Sequence, residues 1–137
     1  MKRTVRIRIE SRQAEQSHVQ ETAGELYHKQ ESYYLRYTEP DSESGKTTAT
    51  VKWDDKMVKV FRHGDVQSDL TFISGTRTAG YYELPQGRME MECFTHGIER
   101  KLDRGLGTLS WSYDLYANGV HAGRIRLRIV IEEEQAE

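Results

Sequence analysis

Residues 124–131 alternate a basic side chain with an aliphatic one for most of their length, and residues 3–10 do the same near the other end of the chain. A two-residue period puts alternate side chains on opposite faces of an extended strand, one dry and one wet. The period recurs along nearly the whole sequence. Val5, Ile7 and Ile9 share a face, and residues 18–28 follow with a weaker pattern. Gly24 interrupts that segment and predicts a bulge or bend in it. Residues 33–38 read as a short aromatic strand. Thr47, Ala49, Val51 and Trp53 alternate with Thr48, Thr50 and Lys52, and Val58 and Val60 oppose Met57, Lys59 and Phe61. Further strand signals cover 70–73, 81–84, 88–94, 98–102 and 109–116.

Turn chemistry separates these runs. Residues 40–45, from Pro40 to Gly45, form the clearest loop; Asp54-Asp55, His63-Gly64-Asp65, Ser74-Gly75, Pro85-Gln86-Gly87 and His96-Gly97 read as tight turns. Asn118-Gly119 is the strongest hairpin signal, because a type I′ turn needs positive φ at both central residues. About ten short strands with turns every 8–12 residues, and no helical period, indicate a sandwich or a barrel. Sequential hairpins favour a single antiparallel up-and-down β-barrel of about 8–10 strands, in which the matched first and last strands meet and remove both sheet edges.

At 137 residues the chain is expected to be one domain, 1–137. A chain of this size buries roughly 68% of its unfolded surface, which supports a core without staples. Hydrophobic residues make up 36% and charged residues 31%, a polar balance that suits a sheet with one face in water. Cys93 is the single cysteine, so no internal disulfide can form. Met1-Lys2-Arg3 leads straight into a strand pattern, and no apolar run approaches the roughly 20 residues of a membrane helix. The expected setting is soluble, reducing and cytoplasmic, with no membrane partner.

The formal net charge of −2 argues against general polyanion binding. The distribution is uneven, however. Lys2, Arg3, Arg6, Arg8, Arg124, Arg126 and Arg128 place seven of the 20 basic residues on the terminal strands, and Glu132, Glu133, Glu134 and Glu137 form an acidic tail.

In the order and spacing of Tyr37-Thr38-Glu39, Thr48-Ala49-Thr50-Val51-Lys52, Val60-Phe61-Arg62-His63-Gly64, Leu70-Thr71-Phe72 with Gly75, Tyr82 with Gly87, and Tyr113-Asp114-Leu115 ahead of Asn118-Gly119, the chain resembles the YwiB-like proteins along nearly its full length. These are small uncharacterised bacterial β-barrels grouped with the calycins. The resemblance implies a calycin-like, lipocalin-like barrel from low-GC Gram-positive bacteria and assigns no activity. Calycins often hold small apolar ligands, a fold-level analogy only.

Two residue sets are candidates for function. Tyr37, Glu39, Arg62 and Tyr82 lie in the segments that carry the resemblance. They would line a barrel mouth and orient the polar head of a small, anionic amphipathic ligand; the plainer reading is a structural Arg–Glu pair with tyrosines covering a barrel end. Arg6, Arg8, Arg124, Arg126 and Arg128 form the second set. If the terminal strands pair, these arginines make a ladder that would meet an acidic protein or RNA, although no nucleic-acid-binding motif accompanies it. The plainer reading is a solvated face with local glutamate partners.

The five histidines, His18, His28, His63, His96 and His121, show no metal-ligand spacing, so neither a metal nor another cofactor is expected. Strand alternation puts Cys93 with Met89 and Met91 and away from His96, as an inert buried thiol. No nucleophile elbow, phosphate loop or zinc-protease pattern is present. Trp53, Trp111, Met57, Met89 and Met91 read as core filling or as an adaptable ligand lining. The sequence therefore points to a non-enzymatic binding barrel, monomeric or homodimeric, with the arginine-face interaction module as the alternative.

Overall fold

The computed structural model describes residues 2–39 and 47–134. Within them the chain forms strands β1 (Lys2–Gln13), β2 (Gln16–Lys29), β3 (Ser32–Thr38), β4 (Thr48–Trp53), β5 (Val58–His63), β6 (Gln67–Phe72), β7 (Arg77–Leu84), β8 (Gly87–Asp103), β9 (Leu106–Ala117) and β10 (Val120–Glu133), and no helix. Each strand pairs antiparallel with its successor, and β1 pairs with β10, so the sheet closes as β1-β10-β9-β8-β7-β6-β5-β4-β3-β2. This is the antiparallel up-and-down barrel that the alternation predicts. The loop read over residues 40–45, and Glu137 of the acidic tail, lie outside the described residues. No helix among the described residues is long and apolar enough to cross a membrane.

The matched terminal patterns explain the closure. Ile7 lies opposite Ile131 and Ile9 opposite Ile129, which continues the dry face across the seam. Asn118 and Gly119 have φ of 51° and 82°, the paired positive values of a type I′ hairpin. Ala14 (φ 54°) and Gln30 (φ 57°) also take left-handed turn positions, although neither is a glycine or asparagine.

Two sequence expectations are corrected. His96-Gly97 is not a turn. β8 runs through it as one strand, and the register with β9 shifts between Thr95 and Gly97, a bulge that bends the strand. The turn into β9 falls instead at Arg104-Gly105, with φ of 54° and 81°. Gly24 marks no bulge either, because the β1/β2 register runs unbroken past it. It marks a close approach: a Cβ there would meet Ile7 Cδ1 and stand 2.8 Å from the Arg36 carbonyl oxygen.

Side chains fill the interior. Phe72 packs on Trp111 and Tyr113 with ring centroids 5.4 and 4.6 Å apart. Leu26, Leu35, Val51, Val58, Leu109 and Ile131 are buried around them. At the end where β1 begins, Tyr33 stacks between His28 (4.1 Å) and Trp53 (5.5 Å) and covers the core. Trp53, Trp111 and Met91 are core residues, whereas Met89 is 38% exposed.

Candidate functional site

The opposite end of the barrel is polar. The cross-strand register puts Tyr37 opposite Ala49, Ala49 opposite Arg62, Arg62 opposite Ser68, Ser68 opposite Tyr82 and Tyr82 opposite Met89. Six residues from β3 to β8 thus make one row on the inner face. Arg62 has small neighbours on both sides, Ala49 and Ser68, which leave room for its long side chain.

Arg62 Nε donates to Glu39 Oε1 at 2.6 Å, and its Nη1 donates to the Tyr82 hydroxyl at 3.2 Å. Glu39 follows β3 on the same face and is held there by its backbone N–H, which donates to the Thr47 carbonyl at 2.8 Å. The Arg62 side chain keeps 25% of its exposure and Glu39 keeps 15%. Burial by itself disfavours the guanidinium charge, but Tyr82, Glu39 and Tyr37 outweigh it, so Arg62 stays charged. Burial pushes the Tyr37 phenol well above its usual range, and the Glu39 charge adds to this. Tyr113, beneath the row, is pushed up in the same way. Both phenols are therefore neutral at physiological pH.

Tyr37, Glu39, Arg62 and Tyr82, the first candidate set, are accordingly brought together. Ser68 was not singled out from sequence; it stands between Arg62 and Tyr82 in the row, and its Oγ is buried without a hydrogen-bond partner. A lone serine in a polar segment gives no signal of such a position. On the strands opposite β5, the same end carries Ile9, Leu115, Ile125 and Leu127, which pack on the core and stay partly exposed. This end of the barrel thus holds the Arg62–Glu39 pair on one side and partly exposed apolar side chains on the other.

The arginine set behaves differently. The seam register sets Arg6 opposite Glu132, Arg8 opposite Val130 and Glu10 opposite Arg128. Glu10 receives Arg8 at 3.1 Å and Arg128 at 3.5 Å. Arg124 binds Asp114 at 3.2 Å. The expected ladder is largely interleaved with carboxylates, and Arg126 stands apart from this pairing. Asp114, also missed from sequence, accepts from His96 Nε2 at 2.9 Å and His121 Nε2 at 3.3 Å as well as from Arg124. Those bonds, from Arg124 foremost, hold its carboxyl well below the usual carboxylate range.

Among the described residues, no group of three or more His, Cys, Asp or Glu side chains has the geometry to hold a metal. Cys93 is buried, and burial pushes its thiol up to about 12, where the nucleophilic thiolate is scarce at neutral pH.

A structure comparison finds the crystal structure of the YwiB protein from Bacillus subtilis, with a TM-score of 0.83, 28% identity, and coverage of 98% of this chain and 94% of that one. In sequence, the uncharacterized β-barrel protein YwiB of Bacillus subtilis is 34% identical over 95 residues, which span 69% of this chain and 66% of that protein. A family model for a domain of unknown function, DUF1934, matches residues 3–129, nearly the whole barrel. The chain is a closed ten-stranded β-barrel that belongs to the DUF1934 family.

Proposed function

We propose that the barrel binds a small amphipathic anion at its polar end, with the head group on Arg62 and the apolar part against the rim. The observation that supports this most is the Arg62 guanidinium: it is mounted on the inner face, fixed at two points by Glu39 and Tyr82, yet one quarter exposed. A pre-fixed cation binds an oxyanion without the ordering cost of a free arginine. Met89, at the end of the same row and 38% exposed, adds apolar contact. Phe72, Trp111 and Tyr113 occupy the space below, so the ligand sits at the mouth and not deep in the lumen.

Native mass spectrometry on protein purified from its own host tests this reading. The expected result is a non-covalent excess mass on the wild-type chain that is lost on denaturation and absent from a folded Arg62→Ala variant. A bare wild-type mass, or an adduct retained by folded R62A, rejects it.

A further inference from the structure

The outer face of the β1/β10 seam is built of cross-strand rows, and one row is unlike the rest. In it, Arg12 lies opposite Arg126, with Ser17 beyond Arg12 on β2 and Ser112 beyond Arg126 on β9. Among the described residues neither arginine makes an ion pair or hydrogen bond, whereas the next row closes on itself through Glu10 and Arg128. Like charges directly opposite on a sheet repel, so this row is less stable empty than with an anion between its guanidinium groups.

The wall is concave here. A groove of about 430 Å³ is lined by Glu10, Arg12, Glu99, Lys101, Arg126 and Arg128, among others. Four cationic side chains meet two carboxylates in this groove, although the whole chain carries a formal charge of −2. The volume is that of a small-molecule cleft. Glu10 and Glu99 oppose a continuous phosphate backbone, but a carboxylate is a strong acceptor for a ligand hydroxyl. Cations and carboxylates side by side therefore suit a molecule with an anionic end and a hydroxylated body, and they suit a polyanion poorly.

We propose that this groove binds a small phosphorylated polyhydroxy compound. Its phosphoryl oxygens bridge Arg12 and Arg126, with Ser17 as a hydroxyl donor, and its hydroxyls donate to Glu10 and Glu99. This site is separate from the barrel end and does not depend on the ligand proposed there.

NMR titration of the full chain with ribose 5-phosphate, AMP, inorganic phosphate, ribose and a short single-stranded RNA tests the proposal. Saturable shifts at Arg12 and Arg126 are expected with ribose 5-phosphate or AMP, about fivefold or more tighter than with inorganic phosphate, because hydroxyl donors add to the phosphate contact. Arg126→Gln should weaken that binding about tenfold, the typical loss of one charge-assisted contact, and Arg62→Ala should leave it unchanged. Both arginines are exposed on the wall, so R12Q and R126Q should fold normally. Equal affinity for inorganic phosphate, binding unaltered in R12Q and R126Q, binding of the RNA alone, or no saturable shift with any probe would each overturn the proposal.

Discussion

Arg12 and Arg126 face each other across the seam that closes the barrel, two guanidinium groups directly opposite with no carboxylate between them. The neighbouring position along the same two strands pairs Glu10 with Arg128. The contrast gives a simple stability test. Arg12→Glu replaces a like-charge pair by an opposite-charge pair and should stabilise the barrel by about 0.5 kcal/mol at low salt. The double variant R12E/R126E, which restores like charges, should lose that gain. Urea unfolding midpoints of the wild type, the single variant and the double variant decide it; a single variant no more stable than wild type would show that the two charges are fully screened.

The Arg62–Glu39 pair lies at the barrel end, partly shielded from water. Glu39→Ala leaves the guanidinium without its carboxylate and should destabilise the fold by about 2 kcal/mol, less than a fully buried pair would cost because both groups retain some solvent. Replacing both partners, as in E39M/R62M, removes the stranded charge and should recover much of the loss. Chemical denaturation of the three proteins reads the coupling directly; additive losses would mean that the pair contributes nothing as a pair.

Asp114 sets an acid limit. Its folded carboxyl is held below the unfolded value by Arg124, His121 and His96. A depressed folded pKa gives stability that is present above the unfolded pKa of about 3.9 and is lost as pH falls toward the folded value. The wild-type barrel should therefore lose stability below about pH 4, by up to about 1.4 kcal/mol per pH unit from this group. Asp114→Asn should be less stable at pH 7 and show a shallower acid slope. Thermal unfolding from pH 7 down to acid, with identical slopes in both proteins, would remove Asp114 from the account.

Gly24 is fixed by space and not by backbone conformation. Gly24→Ala drives a methyl toward Ile7 Cδ1 and to 2.8 Å from the Arg36 carbonyl oxygen. Overpacking of this kind should cost about 1–3 kcal/mol. Adding Ile7→Val removes the Cδ1 and should return only part of the loss, because the carbonyl wall remains. A fully restored double variant would place the whole conflict on the Ile7 side chain.

The architecture was legible because it rests on local signals. Period-two runs such as Thr47/Ala49/Val51/Trp53 name the inner face, and Asn118-Gly119 names its own hairpin. What was illegible depends on register between distant strands. The type I′ turn pairs Ala117 with Val120 and Tyr116 with His121, but a bulge at Ala122 shifts the ladder so that Asp114 meets Arg124. His96-Gly97 read as a turn because a bulge and a turn use the same residue types. The partners along the arginine face were illegible for the same reason: no turn joins β1 to β10, so nothing in the sequence states that Arg12 meets Arg126 while Arg128 meets Glu10. The Tyr37, Glu39, Arg62 and Tyr82 grouping came from the segments that resemble a known family. Ser68, which completes the row, carries no distinctive pattern at all.

The seam also decides whether the sheet has edges at all. β1 pairs with β10, and Gln13 Nε2 reaches the Ala122 carbonyl across 109 residues of chain. Closing a loop of that length costs on the order of 4 kcal/mol of chain entropy. Without β10, β1 and β9 would be the two open edges of a single antiparallel sheet. β10 is the partner of both edges, so the barrel is sealed, and its aggregation-prone edges disappear, only when that strand pairs with β1 and β9 together.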